Sequence, residues 1–363
     1  MQQYHDHDLS PSRRSFLRVS MGGALLASAP ARGAKRPLKP LTPGIKISLQ
    51  IPNTFTQQDL AFTKQLGVNY VSIPTRGGTY ETFAAFRQRV EAAGLKIANI
   101  GNSRVHNMPE VTLNLPGRDQ KIEEYKQYLR DLAKTGIYYT TYAHMGNGIW
   151  SSAPETTRGG ARARAFHLAT ATGNWDGQTF LPPLSHGRRF SEKELWENYT
   201  YFIRQVAPVA EELGIRIGIH PDDPPALELG GVPRCIFGTF DGYVRALEIA
   251  NSPNIGVCLC CGTWLEGGAR MGRDVYQAIR EFAKMGKLWK VHLRNVTGPV
   301  PDFVETFPDG GYGDLKRIMR TLVDVDFRGI LIADHVPEMV GDRRTGWAYS
   351  IGYIKALYDA VRN

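Results

Sequence analysis

The stretch Ile215-Arg-Ile-Gly-Ile-His220-Pro-Asp-Asp-Pro-Pro225 sets the pattern for the chain. A short apolar run suited to a buried strand ends on a histidine, and prolines and aspartates then break the backbone. The design recurs three times downstream. Residues 255–259 (Ile-Gly-Val-Cys-Leu) run into Cys260-Cys261-Gly262, residues 288–291 (Leu-Trp-Lys-Val) into His292-Leu-Arg294, and residues 329–333 (Gly-Ile-Leu-Ile-Ala) into Asp334-His335. Each strand therefore delivers a metal-ligand residue type at its C-terminal end.

Working outward, strand-like and helix-like segments alternate. Strands are expected at 45–51, 69–73, 95–100, 137–144, 215–220, 255–260, 288–293 and 329–334. Helices are expected at 56–66, 80–93, 119–134, 191–213, 241–250, 270–284, 314–323 and 348–362. Glycines after the helical runs, at Gly67, Gly94, Gly136, Gly214 and Gly286, are helix-terminating signals, and Ser191-Glu-Lys-Glu194 reads as a capping box. Eight strands each followed by a helix make the fold α/β, a single (β/α)8 barrel over residues 45–363. In that architecture the C-terminal strand ends converge on one face, so His220, Cys260, His292 and Asp334 are expected to form a metal site. Residues 145–190, between the fourth strand and its helix, exceed an ordinary barrel loop. They are read either as a lid, with Arg158 gripping a substrate carboxylate, or as a surface excursion or oligomer contact. The glycine-rich run 308–314 reads as a tight loop rather than a phosphate cradle.

The totals narrow the function. The chain has 363 residues, 42% of them hydrophobic, and a net charge of +9. Its basic residues are scattered, which gives no support to nucleic-acid binding and suits an anionic small molecule or a solvated basic surface. No apolar run reaches membrane-spanning length, so no stable membrane anchor is expected. Of the four cysteines, Cys235, Cys258 and Cys261 read as buried thiols. Residues 1–34 carry Arg13-Arg14, a short apolar stretch and small residues including Ala27-Ser-Ala29. That is the layout of a twin-arginine export signal, implying the export machinery as a partner and a periplasmic mature protein. Residues 35–44 read as a Pro- and Lys-rich linker.

Imidazole, thiolate and carboxylate together suit a first-row divalent ion, Mn(II), Fe(II), Co(II) or Zn(II). A closed structural zinc site is the alternative. Wide ligand spacing, the catalytic face of a barrel and the adjacent titratable His335 favour a reactive site. Arg294 shares a strand face with His292 and is a candidate for binding a substrate carboxylate or orienting a ligand. Asp222 and Asp223, directly after His220, read either as groups that support the metal ligands or, more readily, as turn residues before Pro224-Pro225.

The same residues carry a resemblance. His220-Pro-Asp-Asp-Pro-Pro225, Cys260 to Gly262, His292-Leu-Arg294 and Asp334-His335, with the earlier Val105-His106 and the run from Leu115 to Ala133, resemble the motifs of the mannonate dehydratase family. The resemblance implies an Mn(II)-dependent hydro-lyase acting on a sugar acid, with His335 and Tyr349 as its proton-transfer pair and His106 as a substrate contact. For Tyr349 the reading from the residues themselves is a core tyrosine of the last helix. The chain reads Asp334-His335-Val336-Pro337 where the family continues Asp-His-Gly-His. That keeps open an isomerase or epimerase of the same barrel class, or a non-catalytic sugar- or metal-binding barrel. A homo-oligomer is also compatible with the sequence.

Overall fold

The computed structural model describes residues 35–362, and the expected export signal, 1–34, lies outside the described residues. Eight parallel strands form one sheet: β1 (Lys46–Gln50), β2 (Tyr70–Thr75), β3 (Lys96–Asn102), β4 (Tyr139–Tyr142), β5 (Arg216–Ile219), β6 (Ile255–Cys260), β7 (Leu288–Leu293) and β8 (Ile330–Ala333). Their spatial order, β3-β2-β1-β8-β7-β6-β5-β4, curls the sheet until β3 and β4 face each other as a nearly closed barrel. Side chains hold that seam. The Tyr128 hydroxyl donates to the Ile100 carbonyl at 2.6 Å and lies 2.7 Å from the Thr140 hydroxyl.

Each strand is followed by an outer helix: α1 (Gln57–Gln65), α2 (Tyr80–Ala92), α3 (Arg118–Thr135), α4 (Glu192–Leu213), α5 (Phe240–Ala250), α6 (Val275–Lys284), α7 (Leu315–Asp324) and α8 (Arg343–Val361). The expected signals act where the sequence puts them. Ser191 and Glu194 form a reciprocal capping box on α4, and Gly136 and Gly214, at φ 80° and 69°, close α3 and α4 in the left-handed region that favours glycine. The helices bury one apolar stripe each against the outside of the barrel, forming the main core. Among the described residues, no helix is long and apolar enough to cross a membrane.

Two segments differ from expectation. Residues 35–44 do not leave the fold as a free linker. The Arg36 amide donates to the Glu211 carbonyl, Arg216 donates to the Lys39 carbonyl at 2.5 Å, and Leu41 packs on Tyr139, Trp289 and Ile330 at the barrel floor. The segment covers apolar side chains that would otherwise face water. Residues 145–190 fold into short strands, and Ala165–His167 pairs antiparallel with Asp302–Thr306 from the connection after β7. Trp150, Phe166, Phe180, Leu265 and Phe303 give this layer a small core of its own above the strand ends.

Candidate metal centre and cavity

Four strand ends meet at one point. His220, directly after β5, donates its amide to the Tyr142 carbonyl at 2.7 Å, and its Nδ1 lies 2.8 Å from the Pro221 carbonyl, leaving Nε2 to face inward. Cys260 ends β6, where its Sγ accepts from the Thr263 amide at 3.4 Å and caps the short helix Cys261–Gly267. His292 lies on β7. Ligand atoms of His220, Cys260 and His292 all fall within 4.8 Å of one another. Asp334, just past β8, brings Oδ2 to 3.6 Å from Cys260 Sγ and 3.7 Å from His292 Nδ1. All four residues are buried.

The donor set fits a divalent cation. His292 Nδ1 is buried without a hydrogen-bond partner. Burial holds the imidazoles of His220 and His292 down, to about 4 and about 3, so both are neutral, as ligands must be. Burial also drives the Cys260 thiol up, so a thiolate there requires a cation beside it. Burial opposes the charge of Asp334, but His335, His292 and Arg294 outweigh it and hold the carboxyl well below its usual range.

Behind the cluster lies an ionic network that the sequence reading missed. Arg294 donates to Asp334 (3.1 Å), Glu266 (2.5 Å), Glu305 (2.6 Å), Asp223 (3.2 Å) and the Thr263 hydroxyl (3.1 Å). Arg164, from the insertion, donates to Asp223 and Glu305, each at 2.8 Å. Asp223 is thus a tie between two arginines rather than a turn residue alone. Arg294 is 2% exposed, with each of its nitrogens engaged, so it braces Asp334 and is not available to a substrate carboxylate. Burial pushes the Glu266 carboxyl up to about 8, above the opposing pull of Arg294, so this residue carries a proton at neutral pH. Two arginines and a protonated His335 then balance Asp223, Asp334 and Glu305. Arg164 lies in the insertion a few residues beyond Arg158. Glu266 and Glu305 carried no local signal, because their partners come from other elements.

A cavity of about 240 Å³ opens over the cluster. His335 lines it, with its backbone at φ 43°, a left-handed conformation that a histidine holds only under constraint. Its Nδ1 lies 2.7 Å from Glu305. Burial works against its charge, yet Asp334 and Glu305 push it up to about 9. His106 also lines the cavity, with Nδ1 3.1 Å from the Thr141 carbonyl and its ring stacked on Trp175 of the insertion at 5.4 Å. Gln50, Ser72, Asn99 and Asn102 make a neutral polar wall opposite. Arg158 and Tyr349 do not line this cavity. Arg158 pairs with Asp309 at 2.7 Å, lies over Phe307 and reaches the Tyr349 hydroxyl at 3.3 Å, which ties the insertion to α8. A larger groove of about 830 Å³ on the outer face of α4 is lined by residues such as Trp196, Tyr201 and Arg245, and includes none of these groups.

Fold and site together define a xylose-isomerase-like barrel whose strand ends gather side chains that could hold a divalent ion. Residues 68–172 and 178–363 match the D-mannonate dehydratase (UxuA) family model, and the chain belongs to that family. It is 31% identical to mannonate dehydratase 2 of Halalkalibacterium halodurans over 78% of this chain and 89% of that one. It is 30% identical to the mannonate dehydratase of Streptococcus pneumoniae over 77% and 82%. The crystal structure of mannonate dehydratase from Streptococcus suis superposes with a TM-score of 0.76 at 26% identity, covering 88% of this chain and 94% of that one. A D-psicose 3-epimerase from Clostridium cellulolyticum superposes at 0.57 with 14% identity over 88% of this chain and all of that one, a likeness of fold alone.

Proposed function

We propose that this protein is a metal-dependent hydro-lyase that converts D-mannonate, or a closely related aldonate, to 2-keto-3-deoxygluconate and water. The observation that carries the reading is the convergence of His220, Cys260 and His292, with Asp334 against Cys260 and His292, at the cavity that His335 lines. Family membership supports the chemistry. We take the ion to be Mn(II), on the family resemblance and the mixed nitrogen, sulfur and oxygen donors. The ion supplies Lewis-acid polarisation of the substrate carboxylate and its neighbouring hydroxyl.

The chain's own groups hold and orient the acid that assists loss of the hydroxyl. Glu305 fixes His335 through Nδ1, so Nε2 is the atom that exchanges a proton with the substrate. A protonated ring there suits donation to the departing hydroxyl. Arg294 anchors Asp334 by its Nε, and Trp175, Met145 and Ile149 keep bulk water out of the cavity. The amides and hydroxyls of Gln50, Ser72, Asn99 and Asn102 match a polyhydroxyl tail. A divalent ion with one thiolate adds a single positive charge to the site, which suits an anionic substrate.

The test is formation of 2-keto-3-deoxy acid by the purified protein from a panel of aldonates, with Mn(II) and with a chelator. Mn-dependent product from D-mannonate is the expected result, and no product from any aldonate by metal-loaded protein would overturn the reading. Residues 1–34 extend the proposal to twin-arginine export into the periplasm, tested by replacing Arg13 and Arg14 with lysine and following the protein by cell fractionation. A mature protein still found in the periplasm would refute that route.

A further inference from the structure

A barrel interior ordinarily fills with layers of Val, Ile and Leu. The layer beneath the metal cluster is different. Ser48 and Ser72 pair at 2.9 Å, and Asn99 Oδ1 and Thr141 Oγ1 are buried without hydrogen-bond partners. Lys290 stands among them, on the same face of β7 as His292, in register with Cys258 of β6 and Ile330 of β8. It is 4% exposed and lines the cavity.

Lys290 is the only lysine or arginine among the described residues lining that cavity. Among the described residues its ammonium has no hydrogen-bond or ion-pair partner, and the neighbouring carboxylate of Asp334 pairs with Arg294 and His335. A buried cation without a partner is costly, and such a group is retained where a ligand completes it. The two arginines the sequence offered as carboxylate grips are both engaged elsewhere: Arg294 by Asp223, Glu266, Glu305 and Asp334, and Arg158 by Asp309.

We propose that Lys290 is the substrate-binding residue that receives the carboxylate of the sugar acid, with Asn99 and Thr141 offering their free polar atoms to adjacent hydroxyls. The inference rests on a sugar acid being the ligand. It is tested by calorimetry on Mn-loaded protein carrying His335→Asn to prevent turnover, with and without Lys290→Met. The two probes are D-mannonate and D-mannitol, which has a closely similar hydroxyl pattern but no carboxylate. Loss of a charge-assisted contact is expected to weaken D-mannonate binding about 10- to 100-fold. D-Mannitol binding and metal content should not change, and Tm should hold or rise because an uncompensated buried charge is removed. Lys290→Gln is the second variant. Unchanged D-mannonate affinity, equal weakening of both probes, or loss of fold or metal in both variants would each overturn the assignment. Wild-type turnover is read separately. Product formation with Lys290-independent binding sinks this inference alone, Lys290-dependent binding without product sinks only the dehydratase reading, and no aldonate binding at all sinks both.

Discussion

Gly262→Ala should damage this protein although its backbone conformation is ordinary and its place in the helix Cys261–Gly267 favours alanine. An added Cβ would stand 2.5 Å from Arg294 Nε, 2.7 Å from Cδ and nearer still to Cγ. Elsewhere a long side chain would swing away. Here Asp334, Glu266, Glu305 and Asp223 hold the guanidinium from several sides. Helix propensity gives alanine about 1 kcal/mol over glycine. Overpacking costs about 1–3 kcal/mol, and pulling Arg294 off its carboxylates about 3–5 kcal/mol. The net expectation is a loss of about 3–7 kcal/mol, read as a lower urea midpoint at unchanged slope. Turnover should fall with it, because Asp334 loses its brace. A double-mutant cycle isolates the cause: once Arg294→Ala has removed the clashing atoms, adding Gly262→Ala should cost less than about 0.5 kcal/mol. Wild-type stability and turnover in Gly262→Ala, or additive losses in the double variant, would refute the reasoning.

Cys260→Ser should lower metal affinity by at least the roughly 10- to 100-fold that even an outer ligand partner costs, measured by equilibrium dialysis with elemental analysis; full occupancy would remove Cys260 from the ligand set. His335→Asn should lose about 100- to 10,000-fold in turnover while keeping its metal content; asparagine tolerates the left-handed backbone at this position, and Tm should fall because Asp334 and Glu305 lose a balancing charge. Unchanged turnover would take His335 out of the chemistry. Burial among Tyr142, Tyr199, Phe202 and Phe237 depresses His144 to about 3, well below the range of an unfolded histidine. The unfolded chain therefore binds a proton there that the native state refuses, so stability is full above about pH 6.5 and declines as pH falls toward 3. His144→Gln should flatten that decline by one proton's worth in urea titrations between pH 7 and 4, and an unchanged slope would place the sensitivity elsewhere.

The barrel was legible because its signals are local. Alternating strand and helix periods, glycine stops and the Ser191 capping box each act within a few residues. The metal cluster was legible for a related reason, since each ligand sits at the end of a recognisable strand and topology brings strand ends together. The ionic network was not. Glu266 lies at the end of the short helix Cys261–Gly267, ahead of the helix expected at 270–284, and Glu305 lies in a hairpin after β7. Both acquire meaning only through Arg164 and Arg294, which arrive from other elements. The insertion's strands run two to four residues, too short for a period to register. In the glycine-rich loop, Asn295 Oδ1 accepts from the Gly313 amide at 3.0 Å and its Nδ2 donates to the Gly313 carbonyl at 2.9 Å. The loop is wrapped around a side chain, as a tight turn should be.

The antiparallel pairing of Ala165–His167 with Asp302–Thr306 limits how a ligand can enter. Hinging the 145–190 layer away as one body would unzip that ladder and withdraw Arg164, leaving Asp223 and Glu305 short of a counter-charge. A roof stitched in this way cannot serve as a door without dismantling the electrostatics it completes. The same layer is fastened far more lightly at Trp175, by its Nε1 to the Ser103 carbonyl at 2.9 Å and by its stack on His106. One indole and the loops beside it can yield there while the charged half of the chamber keeps its shape.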